Sequence, residues 1–136
     1  MVPLLYIQRE INSGDEAIAC YVSVETCQRI SDPERAMPGI CAAIKQFAKA
    51  FEVPIPMTDD AVPISMLSSI LVNWSELINP KPLIVLFDEV DVLEGETLIS
   101  FLHHLGNSSC FCDHFFRIII YFQYPDGVFC VQFTCF

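Results

Sequence analysis

At 136 residues the chain is long enough for one domain with a sizeable core, and no more. Its 53% hydrophobic and 18% charged content exclude a chain disordered over most of its length. A net charge of −10, with only seven scattered basic residues, excludes non-specific nucleic-acid binding, which needs clustered Lys and Arg.

No stretch reaches the roughly 18 apolar residues of a membrane-spanning helix, because Asp, Lys, Arg or Pro interrupts every run. The opening Met-Val-Pro-Leu-Leu-Tyr-Ile-Gln-Arg-Glu has no basic n-region, and its apolar run is too short for a signal peptide. The cytoplasm is therefore the expected compartment, and no membrane partner is expected. The seven cysteines are odd in number and irregularly spaced, which argues for reduced, buried thiols over a disulfide framework.

In chain order, the first clear element is Ala17 to Val24, a short apolar run rich in β-branched and aromatic residues that predicts a buried strand. A polar loop through Pro33 and Pro38 follows. From Met37 to Phe51, Ile40, Ile44, Phe47, Ala48 and Phe51 share one helical face, with Pro38 tolerated in the first turn. Pro54 through Pro63, with Asp59 and Asp60, predicts a loop. A second helix runs from Ser65 to Ile78 with Leu67, Ile70, Leu71, Trp74, Leu77 and Ile78 on its stripe, Trp74 being a core residue.

Leu83-Ile84-Val85-Leu86-Phe87 then runs straight into Asp88-Glu89. An uninterrupted apolar run is buried on both faces, as in the central strand of a parallel sheet. Carboxylates at its C-terminal end sit where open α/β sheets bind ligands. This is the build of a Walker B strand, in which the first carboxylate holds Mg²⁺ and the second can orient a water. An acidic turn through Glu96 follows, then a helix from Thr97 to Leu105 that buries Leu98, Phe101, Leu102 and Leu105, with Gly106 as its C-cap. Strand, helix, helix, strand, helix is a parallel α/β order of elements.

After Gly106 the composition shifts. Cys110 to Phe136 holds seven of the eleven Phe and four of the seven Cys, with Asp113, Arg117 and Asp126 as its only charges. One reading is a β-hairpin of Phe116–Gln123 and Val128–Thr134 around the turn Tyr124-Pro125-Asp126-Gly127. The other is a non-native extension, the product of a frame change or run-on, whose uncharged aromatic content is an aggregation hazard. Residues 1–106 and 107–136 are divided on this ground.

From Ala17 to Leu105 the chain resembles the bacterial AAA-like domains, ATP-binding proteins of the AAA-type, STAND-like P-loop class. Cys20-Tyr-Val-Ser-Val-Glu-Thr resembles the strand that follows the Walker A helix there. Pro82-Leu-Ile-Val-Leu-Phe-Asp-Glu-Val-Asp resembles Walker B, and Leu93-Glu-Gly-Glu-Thr-Leu-Ile-Ser-Phe-Leu-His-His-Leu the helix after it. The resemblance implies ATP and Mg²⁺ as cofactors, Asp88 as the Mg²⁺ and nucleotide-supporting residue, and Glu89 as the catalytic carboxylate that polarises water. It also implies a sensor strand downstream and a Walker A lysine loop upstream. The tail resembles neither the sensor strand nor an arginine-bearing region, and no G-x-x-x-x-G-K-[ST] occurs in the chain, which starts too late to contain one.

Because the loop and lysine supply most of the phosphate grip, the acidic pair alone is expected to hold Mg²⁺ weakly and to give no ATPase activity. The expected architecture is a partial three-layer P-loop core with parallel strands and flanking helices. The leading function is a truncated or degenerate ATP-binding domain, inactive alone. The alternative is a non-enzymatic interaction module whose incomplete sheet is completed by self-association or a partner chain. A third reading is a self-sufficient α/β fold without enzymatic role.

Other residues invite sharper readings but have plain ones. Asp91, Glu94 and Glu96 read as a solvated turn, the last two near the positive end of the following helix. Cys110, Cys112 and His114 do not have structural zinc spacing, and His103 and His104 read as surface residues at a helix end. Cys20, Cys27 and Cys41 read as buried thiols.

Overall fold

The structure is a computed structural model that describes residues 3–55, 63–78, 80–110, 116–124 and 127–135; from Gly106 onward the description is of backbone. Most of the expected loop before Pro63, the Pro125-Asp126 turn, and Cys112 with His114 lie outside the described residues. In chain order the main elements are α1 (Pro3–Ser13), β1 (Ile18–Ser23), α2 (Pro33–Ala50), α3 (Pro63–Ile78), β2 (Leu83–Asp88), α4 (Gly95–Cys110), β3 (Phe116–Tyr124) and β4 (Gly127–Cys135). The class is α/β.

The strands form one sheet in the order β1-β2-β3-β4. β1 pairs parallel with β2 from Ile18↔Leu83 to Ser23↔Asp88, and β2 pairs parallel with β3 from Leu83↔Phe116 to Phe87↔Ile120. β3 and β4 pair antiparallel from Phe116↔Cys135 to Tyr124↔Gly127. The uncharged run Leu83–Phe87 is thus an inner strand, and all five of its residues are buried. The strands of the tail belong to the same sheet as the strands of the body.

Alternation along β1 and β2 sends side chains to two faces. Cys20, Val22, Leu83, Val85 and Phe87 join the larger core with Ile40 and Ile44 of α2, Leu67, Leu71 and Trp74 of α3, and Phe101 of α4. Trp74 is fully buried and its Nε1–H donates to the Pro54 carbonyl at 2.8 Å. Phe87 meets Phe101 edge to face, centroids 5.1 Å apart. Ala19, Tyr21, Ile84 and Leu86 point the other way, where Leu4 of α1 packs on them.

Two helix boundaries and one whole helix differ from expectation. α2 starts at Pro33, because the Asp32 carboxylate accepts from the Glu34 N–H at 3.0 Å and Pro33 fits the first turn. Pro38 consequently lies inside the helix. α4 does not stop at Gly106 but continues to Cys110. Glycine permits a helix end without compelling one, and inside a helix it costs only about 1 kcal/mol relative to alanine.

The third difference is α1, a helix absent from the expected elements although Leu4 and Ile11 share its inward face. Ile18 and Val24 donate their N–H groups to the Pro82 and Asp88 carbonyls of the β2 segment, so the intervening alternate residues face the free edge of β1. At that edge the Asn12 side chain closes both backbone groups of Ala19: Nδ2 donates to the carbonyl at 2.8 Å and Oδ1 accepts from the N–H at 2.7 Å. Oε1 of buried Gln8 accepts from the Tyr21 N–H at 2.6 Å. Four helical residues rise about 6 Å and two strand residues about 6.6 Å, which is why amides at i and i+4 can serve strand positions i and i+2.

Cys20, Cys27 and Cys41 are free and buried. Burial pushes the Cys20 and Cys41 thiols up to about 12 and raises Cys27 as well, so none is prepared for nucleophilic work. No helix among the described residues is long and apolar enough to cross a membrane.

Candidate functional site at the carboxyl ends of β1 and β2

Parallel pairing brings the C-terminal ends of β1 and β2 side by side, with Ser23 opposite Asp88. Asp88 lies on the α1 face of the sheet, as does Tyr21 two residues back on the neighbouring strand. The Tyr21 hydroxyl donates to Asp88 Oδ2 at 2.8 Å, and the Glu89 N–H donates to Asp88 Oδ1 at 2.8 Å. Both carboxylate oxygens are therefore engaged. Burial first, then the hydrogen bond and charge of Asp88, raise the Tyr21 phenol well above its ordinary range. Tyr21 is itself set by edge-to-face contacts with Phe47 of α2 and Phe51 just beyond its end.

Glu89 sits where the chain leaves the sheet, in the left-handed region at φ 62° and ψ 28°. That conformation is uncommon for a residue with a Cβ. Its Oε1 accepts from the Ser23 hydroxyl at 3.3 Å. Partial burial, followed by the charges of Glu25, Asp88 and Asp91, pushes its carboxyl above the usual range, with the Ser23 bond opposing. Backbone strain, desolvation and like charge thus converge on one side chain.

Sequence reasoning placed Asp88 and Glu89 together, and the structure sets both at the β2 carboxyl end. It did not find Tyr21 or Ser23. The period-2 alternation that puts Tyr21 on the same face as Asp88 was legible, but only the parallel register brings the two within reach. Asp91, Glu94 and Glu96 are exposed, Glu96 in the first turn of α4. Thr97, fully buried beside them, has an Oγ1 without a hydrogen-bond partner among the described residues, which ordinarily costs about 1–3 kcal/mol.

His104 departs from the surface reading. It is buried between α3 and α4, with Nδ1 3.1 Å from the Ser68 hydroxyl, while His103 is exposed. Burial, then the charge of His103, lowers its pKa. A shallow cleft of about 240 Å³, lined in part by Asn12, Asp15, Glu52 and Lys81, opens at the opposite, amino-terminal ends of β1 and β2. It is remote from the carboxylates and small for a ligand site.

Tested against Mg²⁺, the donor set does not fit a self-sufficient centre. No group of three or more His, Cys, Asp or Glu able to hold a metal occurs among the described residues, and Asp88 has only its remaining lone pairs to offer beyond the bonds from Tyr21 and the Glu89 N–H. Mg²⁺ demands near-octahedral oxygen geometry and surrenders its waters reluctantly. No family model, no curated protein and no solved structure matches this chain.

Proposed function

We propose that Asp88 and Glu89 are the acidic half of an ATP-binding site of the AAA-like P-loop type, and that this chain alone does not hydrolyse ATP. One observation carries the reading: a strained, desolvated and charge-crowded Glu89 directly follows Asp88 at the carboxyl end of an inner parallel strand. Arg29 and Glu52 share the left-handed backbone, but of the three only Glu89 lies at a sheet's ligand-binding end, where it adds a raised carboxyl; this supports a site kept for use rather than for stability. The chain contains no G-x-x-x-x-G-K-[ST], so the backbone cradle and lysine that grip phosphate are not supplied by these residues.

Two measurements test this. ATP turnover by the purified chain is expected to equal that of the Asp88→Asn/Glu89→Gln double variant; turnover that the double variant abolishes would refute the inactivity. Mn²⁺ titration followed by NMR is expected to broaden the Ser23, Asp88 and Glu89 amides only weakly, at millimolar metal, and not at all in Asp88→Asn. Broadening that ignores Asp88→Asn would remove the acidic-site reading itself.

A further inference from the structure

We propose that the outer edge of β4 is a self-association surface, where a second copy of this chain adds by antiparallel β4–β4 pairing about a two-fold axis. The proposal develops the reading of the chain as an interaction module and stands independently of the carboxylate pair.

The sheet has two edges, and they are treated differently. The β1 edge is closed by Gln8 and Asn12 of α1. β4 ends the sheet on the other side, and among the described residues no element pairs with its outer edge. Its register identifies the groups left there. Opposed residues in an antiparallel pair alternate between exchanging hydrogen bonds and turning their backbone groups outward. Counting from Tyr124↔Gly127, the pair that closes the hairpin, Val128, Cys130, Gln132 and Thr134 turn their N–H and C=O groups away from β3. A nine-residue edge is long, and sequences that leave such edges free normally protect them with charge, proline or bulges. Gly-Val-Phe-Cys-Val-Gln-Phe-Thr-Cys contains no charge and no proline.

Charge selects the occupant. Fifteen of the seventeen acidic residues precede Gly106, against six of the seven basic ones, so the bodies of two copies carry like net charge and repel on balance. β4 is a neutral edge along which a second strand can approach, and a second β4 brings no charge to the contact. Antiparallel pairing across a two-fold axis is isologous and closes at a dimer. It also separates the acidic sites. With two strand spacings from β2 to β4 on each side, and one across the seam, β2 of one copy lies five spacings from β2 of the other. At about 4.8 Å per spacing that is about 24 Å, beyond a Debye length of about 8–10 Å in physiological salt. The repulsion that opposes association elsewhere is screened in this arrangement.

The test uses the full chain in two variants. Gln132→Pro removes one outward N–H and no β3 ladder donor; Gln132→Lys keeps the backbone and adds one positive charge to each β4. Sedimentation equilibrium is expected to show a wild-type dimer, with the dissociation constant raised at least about ten-fold by either variant. Amide exchange at Cys130 and Gln132 is expected to slow as wild-type concentration rises. A wild-type chain that stays monomeric at high concentration overturns the proposal. So does a dimer of unchanged affinity in Gln132→Lys, or exchange at Cys130 and Gln132 that ignores concentration. Should Gln132→Pro fail to fold, the lysine variant and the exchange data decide alone.

Discussion

The two edges of the sheet solve the same problem in opposite ways. At β1, unpaired backbone groups meet amide side chains from one helix, and a six-residue strand is finished within its own chain. At β4, nine residues of backbone end the sheet with neither charge nor proline to discourage pairing. An edge is therefore not open or closed by virtue of its strand sequence. β1 is as apolar as β4, and what closes it is a polar pair seven or more residues upstream.

The most damaging way to break that comparison is to replace both Gln8 and Asn12 by Leu. Three hydrogen bonds at Ala19 and Tyr21 are lost, for an expected total of about 2–3 kcal/mol by urea unfolding. The released edge should then behave as β4 does, with faster amide exchange at Ala19 and Tyr21 in the monomer and stronger self-association. Unchanged stability and exchange would mean that α1 lies beside β1 without sealing it.

Tyr21→Phe is the next largest perturbation. It keeps the ring contacts with Phe47 and Phe51 but removes the clasp on Asp88, for about 1–2 kcal/mol. Because the folded state raises the Tyr21 pKa, the associated stability is present below the unfolded tyrosine value of about 10 and is lost as pH rises through the folded value. The phenylalanine variant should show a flatter alkaline limb in pH-dependent denaturation. An identical limb would place the alkaline loss elsewhere.

Glu89→Gln gives the smallest effect and the opposite sign. A raised carboxyl pKa means its favourable contribution is complete below the ordinary carboxylate range and is lost as pH climbs through the folded value. The glutamine variant stays neutral at every pH, so it should gain on the wild type as pH rises and be no more stable in acid. Thermal unfolding across pH checks this. A variant less stable at neutral pH would show that the Ser23 contact outweighs the crowding around Glu89.

Much of the body was legible because its residues obey simple periods. Ile40, Ile44, Phe47, Ala48 and Phe51 mark α2 by their spacing, and Leu83–Phe87 marks an inner strand by lacking any polar interruption. α1 carries such a period as well, with Leu4 buried and Ile11 packed on the same core, yet its role at the sheet edge is not in that period. Its key inward residue is Gln8, and a hydrophobic pattern counts a glutamine as surface unless the unpaired strand edge is known to be there. His104 misled similarly: on sequence it is one of two adjacent polar residues near a helix end, and only α3 packing on α4 puts it beside Ser68. At the candidate site, Asp88 and Glu89 stood out in the sequence, whereas Tyr21 lies 67 residues away and required the β1–β2 register.

The chain by itself determined its α/β class, the inner strand and the placing of two carboxylates at that strand's end, because hydrophobic burial and period are local properties of sequence. Only the tertiary structure decided that Asp88 is held from both sides, that Glu89 takes a left-handed backbone, and that one edge of the sheet is closed while the other has no partner among the described residues. Those depend on which backbone groups remain unpaired once the strands have met. That is a property of register and order in the sheet, which no single segment encodes.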